Sequence, residues 1–323
     1  MALDLVARAS RAPSVHNIQP ARWRFNDLRV TLFRALDRTL PAADPTGHDV
    51  DISLGAAFEG MCLALSERSL FLDQVDFRPG EHAQGCAGVA AGTIASGCAI
   101  DSLAAHVKNR KSFRGKFAAV LKEDLAAIRS VAAEDAIIID DRSCIRELAK
   151  SHDDATWRFA SKSEYHEELW SWLRLSARQP SWGRDGLNAD CLGLSAPERI
   201  AARALLSPRI FSRLSRLGVG SRLVSERSQV ESASALIVFA PPRSTSSFNA
   251  GRRFYRLWLE ITSIGLAAVP MSASADDAES NASIARMIDL PADRRIANVF
   301  RVGRPGVRQV PMSPRIPARE LVV

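Results

Sequence analysis

Two stretches far apart in the chain read as copies of one another, and any fold must accommodate both. Laid without gaps, SLGAAFEGMCLALSERSLF (53–71) matches NAGRRFYRLWLEITSIGLA (249–267). Gly55 meets Gly251, Phe58 meets Phe254, Leu63 meets Leu259, Leu70 meets Leu266, and Leu65 meets the aliphatic Ile261. Both segments have the pattern of an apolar helix, and each runs into a short apolar stretch, LFLDQV or GLAAVPM. Such a repeat implies two related halves fused in tandem, so that one polypeptide imitates a symmetric dimer. The expected division is 1–105 and 106–323.

The chain of 323 residues, 46% hydrophobic, can bury a large core. No apolar run reaches the roughly 18 residues of a membrane span, and the N-terminus lacks the basic-then-apolar order of a secretory signal, so a cytoplasmic protein is expected. Five cysteines, Cys62, Cys86, Cys98, Cys144 and Cys191, form no C-x-x-C pair, which argues against a disulfide framework and against a zinc site. Lys and Arg total 43 against 36 acids, a net charge of +7. That excess attracts anions but does not choose between nucleic acid, an anionic lipid surface and a phosphorylated cofactor. It is concentrated at Arg199, Arg203, Arg209, Arg213, Arg216, Arg222 and Arg227, at spacings that fit a solvated helix face. An aromatic content of 7% leaves few stacking platforms, and no nucleic-acid-binding motif is present, so neither a nucleic-acid nor a membrane partner is expected.

Local patterns predict a helix over 3–11, strands RWRF and LRVTLF joined at Asn26-Asp27, and a buried helix over 51–68. Further strands are predicted at 70–77, 85–95, 136–140, 235–241 and 298–303. Helices are predicted at 100–110, 122–133, 142–177, 250–266 and 276–288, with Arg-rich helices after the loop QPSWGRDGLNADCLGLSAP. Interspersed strands and helices favour an α/β or α+β class.

Two motifs carry chemistry. APSVHNIQP (12–20) holds Pro13, Ser14, His16, Asn17, Gln19 and Pro20 within nine residues. A loop this rich in short hydrogen-bonding side chains either caps its own backbone or holds a ligand. RKSFRGKF (110–117), placed at the end of a predicted helix, gathers Arg110, Lys111, Arg114 and Lys116 around Ser112. Planar guanidinium forks and a hydroxyl suit a phosphomonoester, and a solvated basic turn accounts for the same residues equally well.

Together the motifs resemble the FMN-dependent nitroreductase family. APSVHNIQP is similar to its A-P-S-x-x-N-x-Q-P loop and RKSFR to its R-R-S-x-R/K signature. VFRVGRPGVRQVPMSPRIPARELV is similar to its closing strand and basic tail, and IGLAAVPMSASADD (264–277) to the segment beneath the flavin. Length, His16 and DGLNADCLGLS resemble the Acg-like subgroup, in which two nitroreductase folds are fused in one chain. The resemblance implies an α+β sandwich in two tandem copies, with a helical insertion or lid at about 150–230. In the ordinary family each FMN site forms between two subunits. Here one complete site per chain is implied, assembled across the halves.

By position, the resemblance assigns the FMN phosphate to Arg110, Ser112 and Arg315. Arg114 falls where a cation lies near N1 and O2 of the flavin, the position most tied to catalysis. Pro13, Ser14, His16, Asn17 and Gln19 belong to the cofactor loop, and backbone N–H groups near Ser272 and Ala273 approach N5. Ala21 stands where the family has Trp, and Ser313 where it has a tail lysine. The implied activity passes electrons from NAD(P)H through flavin to a small nitro or quinone-like acceptor; the alternative is a flavin-sequestering protein whose lid covers the ring. The unit would be a monomer mimicking a dimer, or a homo-oligomer. His152, Asp153, Asp154, Glu164 and His166 have no metal-binding spacing and fit a solvated helix.

Overall fold

The computed structural model of the chain describes residues 1–323 except 78, 79, 84, 132, 133 and 308–310. The expected helix end at 132–133 and the tail positions 308–310 therefore lie outside the described residues. In the first half, α1 (Ala2–Ala9) precedes β1 (Ala21–Asn26), β2 (Arg29–Ala35), α2 (His48–Ser66), β3 (Leu70–Phe77), β4 (His82–Ala83) and β5 (Cys86–Ser96). Asn26 pairs with Arg29, so Asp27 and Leu28 form a two-residue hairpin turn, with Asp27 at φ 50°. The strands order as β1-β2-β5-β3, all antiparallel, with β4 also against β5.

The second half begins with α3 (Lys122–Arg129) and β6 (Ala136–Ile139). A helical segment follows: α4 (Arg142–Ala160), α5 (Ser163–Trp172), the short parallel pair β7 (Leu173–Arg174) and β8 (Leu187–Asn188), α6 (Ala196–Leu205), α7 (Pro208–Arg216), α8 (Gly220–Val224) and α9 (Arg227–Glu231). Then come β9 (Ala235–Phe239), α10 (Ser247–Ser263), β10 (Ala267–Pro270), α11 (Ser272–Asp276), α12 (Ala278–Met287) and β11 (Asn298–Gly303).

The second sheet orders as β6-β9-β11-β10, again antiparallel. It repeats the first: in each, the long helix follows the second strand, and the strand that comes last in sequence inserts between the second and third. The largest difference is the connection between the first two strands. It is a tight turn in the first sheet and carries α4 to α9 in the second.

α2 and α10 are the segments aligned in the sequence, and they pack against each other by a reciprocal contact. A Cβ on Gly55 would lie 1.9 Å from the carbonyl oxygen of Phe248, and one on Gly251 would lie 2.1 Å from that of Ile52. Ile52 and Phe248 each precede their glycine by three residues, so the contact maps onto itself when the copies are exchanged, as a twofold interface requires. Only glycine permits so close an approach of two helix backbones. The polar edge is pinned by Glu59, 4% exposed, which accepts from Arg252 at 2.9 Å and Arg256 at 2.8 Å. Strand β9 is buried on both faces: Ile237 and Phe239 join Phe254, Trp258 and Phe300 on one side, while Leu236 and Val238 join Ile145, Leu148 and Val230 on the other.

Three predicted elements differ. The helix expected at 100–110 is a single 3-10 turn, Ser102–His106, capped by Asp101. Beyond it the backbone straightens because Ser112 bridges Ala268 and the Phe113 N–H donates to Ala268 O, so RKSFR runs alongside β10 rather than ending a helix. The helix expected at 142–177 is broken between Ala160 and Ser163 and ends at Trp172. That at 276–288 is interrupted at Asp277, whose carboxylate accepts from the Ser280 N–H at 2.9 Å and starts α12.

Candidate functional site

A cavity of about 280 Å³ opens beside the α2/α10 contact. Pro13, Ser14, His16, Asn17, Arg110, Ser112, Arg114, Ser272, Ala273 and Arg315, ten of the eleven residues named from the sequence, line it. Gln19 does not. Its Nε2 donates to Arg184 O at 2.8 Å and its Oε1 accepts from the Ile316 N–H at 2.9 Å, so it ties the loop to the insertion and the tail. Asn17 does both: it reaches the cavity wall while Nδ2 donates to Gly186 O and Pro314 O, each at 3.0 Å, and Oδ1 accepts from Arg315 at 2.8 Å. The loop is thus held through side chains, with His16, Asn17 and Gln19 all at positive φ (44°, 56°, 51°). Such left-handed backbone at three non-glycine residues persists only where surrounding contacts over-determine it.

At one end of the cavity Arg110, Ser112, Ser313 and Arg315 also border a smaller recess with Arg11 and Lys111. Arg110 is 6% exposed, and its guanidinium lies 4.5 Å from the Trp258 ring centroid and donates to Arg11 O at 2.8 Å. Arg315 donates to Asn17 and to the carbonyls of Arg11, Ala12, Ser313 and Pro314. No described carboxylate pairs with either. The Nε atoms of both are buried without a partner. Burial, then the Arg110 charge, pushes the Arg315 guanidinium down to about 9, and burial lowers Arg110 as well, against the Tyr255 phenol. Two buried cations facing one another without a counterion are costly, and a multiply charged anion relieves both.

Further along, Arg114 donates to Cys191 O at 3.4 Å. Its backbone is fixed by Arg301, 0% exposed, which donates to the carbonyls of Arg114 and Gly115 at 2.9 Å each. Burial and the Arg114 charge hold the His16 imidazole down to about 4, so it is neutral near pH 7.

Several lining residues escaped the sequence reading. His152, Thr156 and Phe159 come from α4, Tyr165 from α5, Leu187 from β8 and Glu226 from just before α9, all within the inserted segment. His152 is not on a solvated face: it is 4% exposed, bonds Ser274 Oγ at 2.8 Å and lies 3.7 Å from the Glu226 carboxylate. Burial raises the Glu226 carboxyl, but His152, Arg301 and Arg114 outweigh it and bring it down to about 2. His166 is buried too, stacked on Phe211 at 3.8 Å. The available signal was the i, i+4, i+7 spacing of 152, 156 and 159, which puts one face of α4 on the cavity. Asp49 and Asp276 also line the cavity, and burial and neighbouring carboxylates, Asp44 among them, raise them to about 7 and about 8.

The chain is 24% identical over 317 residues, 97% of its length and 87% of the relative's, to a Mycobacterium tuberculosis H37Rv protein described as "Putative NAD(P)H nitroreductase Rv3131". A stretch of 61 residues is 41% identical to a protein of the same strain described as "Putative NAD(P)H nitroreductase acg", 19% of this chain and 18% of that one. Among solved structures, the FMN-dependent nitroreductase NfnB of Mycobacterium smegmatis in complex with NADPH matches 64% of this chain and 92% of its own at 16% identity and a TM-score of 0.34. No family model matches the chain. The likeness to nitroreductases read from the two motifs thus extends along almost the whole sequence, and the Acg-like part of it over about a fifth.

Proposed function

We propose that this protein binds one FMN per chain and acts as an NAD(P)H-dependent oxidoreductase on a small nitro or quinone-like acceptor. The pair of buried guanidiniums, Arg110 and Arg315, carries the reading, because they border a recess with a hydroxyl donor at Ser112 and have no carboxylate partner among the described residues. A phosphate monoester, with two negative charges and three acceptor oxygens, fits that donor set. When bound, FMN would supply the redox chemistry, taking electrons from the nicotinamide and passing them to the acceptor.

The chain's own residues do the rest. Arg110, Ser112 and Arg315 hold the anion and fix orientation. Arg114, with its backbone clamped by Arg301, sets a positive field in the cavity. His16, neutral at pH 7, adds no charge to it. Pro13, Ser14 and Asn17 from the first half, and Ser272 and Ala273 from the second, line the cavity together. Halves divided near residue 105 would then each be required for the one site. Names borne by the full-length relatives favour the enzyme over flavin storage. A cytoplasmic setting belongs to the same reading and is checked by cell fractionation.

The test is direct. Purified protein should be yellow with close to one FMN per chain, and anaerobic NADH or NADPH should bleach it. A colourless protein that takes up no added FMN would sink the reading.

A further inference from the structure

The arginines of the insertion are not used by the cavity. From 199 to 225 the chain carries six arginines and no Asp or Glu. Arg199 pairs with Asp190 at 2.8 Å; Arg203, Arg209, Arg213, Arg216 and Arg222 are exposed and have no acidic partner among the described residues. Large aliphatic side chains stand among them: Ile200 is 74% exposed, Leu217 75%, Ile210 40% and Val219 39%.

The two kinds of residue lie on adjoining faces. On α7, Arg209, Arg213 and Arg216 follow i, i+4, i+7, while Ile210, and Leu217 just past the helix end, lie about a quarter-turn round from them. The opposite face is already docked: Phe211 is 2% exposed, stacked on His166, with Trp157 at 6.5 Å. α6 has no buried residue, so Ile200 and Arg203 share its outer side at i, i+3. The outward face is thereby held in place rather than free to turn in.

We infer that α6 and α7 form a docking face for an anionic lipid surface, lying in the headgroup plane. Charge complementarity selects an anionic occupant, and a second copy of the chain would bring the same five unpaired arginines. The aliphatic residues then separate lipid from nucleic acid, since a phosphodiester backbone offers nothing for Leu217 and Ile200 to enter, whereas a bilayer buries such side chains while arginines reach the headgroups. No helix among the described residues is long and apolar enough to cross a membrane, so the contact is one of lying on the surface.

The experiment is vesicle co-sedimentation of the full chain, with phosphatidylcholine alone and with phosphatidylcholine plus one-third phosphatidylglycerol. The mixed vesicles should retain the protein and the neutral ones should not. Near an anionic surface each arginine contributes about fivefold, so Arg209→Gln, Arg213→Gln and Arg216→Gln together should lower partitioning about a hundredfold. Leu217→Ser with Ile200→Ser, which leaves charge untouched, should lower it about a hundredfold. All positions are exposed, and unchanged melting temperatures verify folding. Absence of binding to mixed vesicles overturns the inference. So does full vesicle binding by the double serine variant, or tighter binding to a DNA duplex than to the vesicles.

Discussion

Gly251→Ala puts the fused-repeat architecture to a quantitative test. In a helix interior alanine is favoured over glycine by about 1 kcal/mol, so on an isolated helix the change would stabilise. Here the new methyl would sit 2.1 Å from the Ile52 carbonyl oxygen and 2.7 Å from its carbon. Both obstacles are backbone, so no rotamer change relieves them, and α2 and α10 must separate by about 1 Å. A gap of that size forfeits a quarter to a half of the dispersion energy between facing atoms, including those of the tilted Phe58–Phe248 pair at 5.5 Å. Overpacking of this kind costs a few kcal/mol, and a net loss of about 3 kcal/mol lowers the melting temperature by roughly 6 °C in a chain this long. Because the contact is reciprocal, Gly55→Ala, at 1.9 Å from Phe248 O, should cost about as much. Gly60→Ala, 3.0 Å from Ala9 O, should cost no more than about 1 kcal/mol. The assay is thermal denaturation of the three variants, with FMN affinity alongside, since Ile52 and Ser53 on α2 and Phe254 and Trp258 on α10 all line the cavity. If Gly251→Ala melts at or above the parent temperature, the backbones do not approach as described and the reasoning fails.

Arg110→Ala should weaken FMN about 10- to 100-fold by titration, while the flavin-free protein keeps or gains thermal stability because one of two facing charges is gone; a fall in flavin-free stability with unchanged affinity would contradict it. His16 is held neutral in the fold, so below pH about 6.5 the unfolded chain takes up its proton first and stability falls down to about pH 4, a slope that His16→Gln should remove from a series of melting curves. Asp49 and Asp276 act in the opposite sense: their raised values mean that the folded state keeps protons longer, so stability is lost as pH rises from about 4 towards 8. Asp276→Asn should therefore raise the melting temperature at pH 8 and leave it nearly unchanged at pH 4, where an unchanged value at pH 8 would refute the assignment.

The legible part of this protein was local or repeated. Gly55 and Gly251 stood out because they meet in the repeat, and the hairpin at Asn26-Asp27 and the strands 70–77 and 298–303 follow from local pattern and turn chemistry. The loop 12–20 and RKSFR were readable because polar or cationic residues crowd together there. Tertiary structure decided the rest. The 3-10 turn at Ser102–His106 replaced a helix because the following backbone is recruited to the edge of β10. Gln19, named in the loop from the sequence, hydrogen-bonds Arg184 and Ile316, partners supplied by segments far along the chain. His152 and Glu226 entered the cavity through the insertion, and their proximity has no counterpart in sequence spacing. Periodicity and motif chemistry act over a few residues and survive in the linear text. Which buried charge faces which is set by chain crossings, and at this cavity it is the packing of two halves and an insertion that determines it.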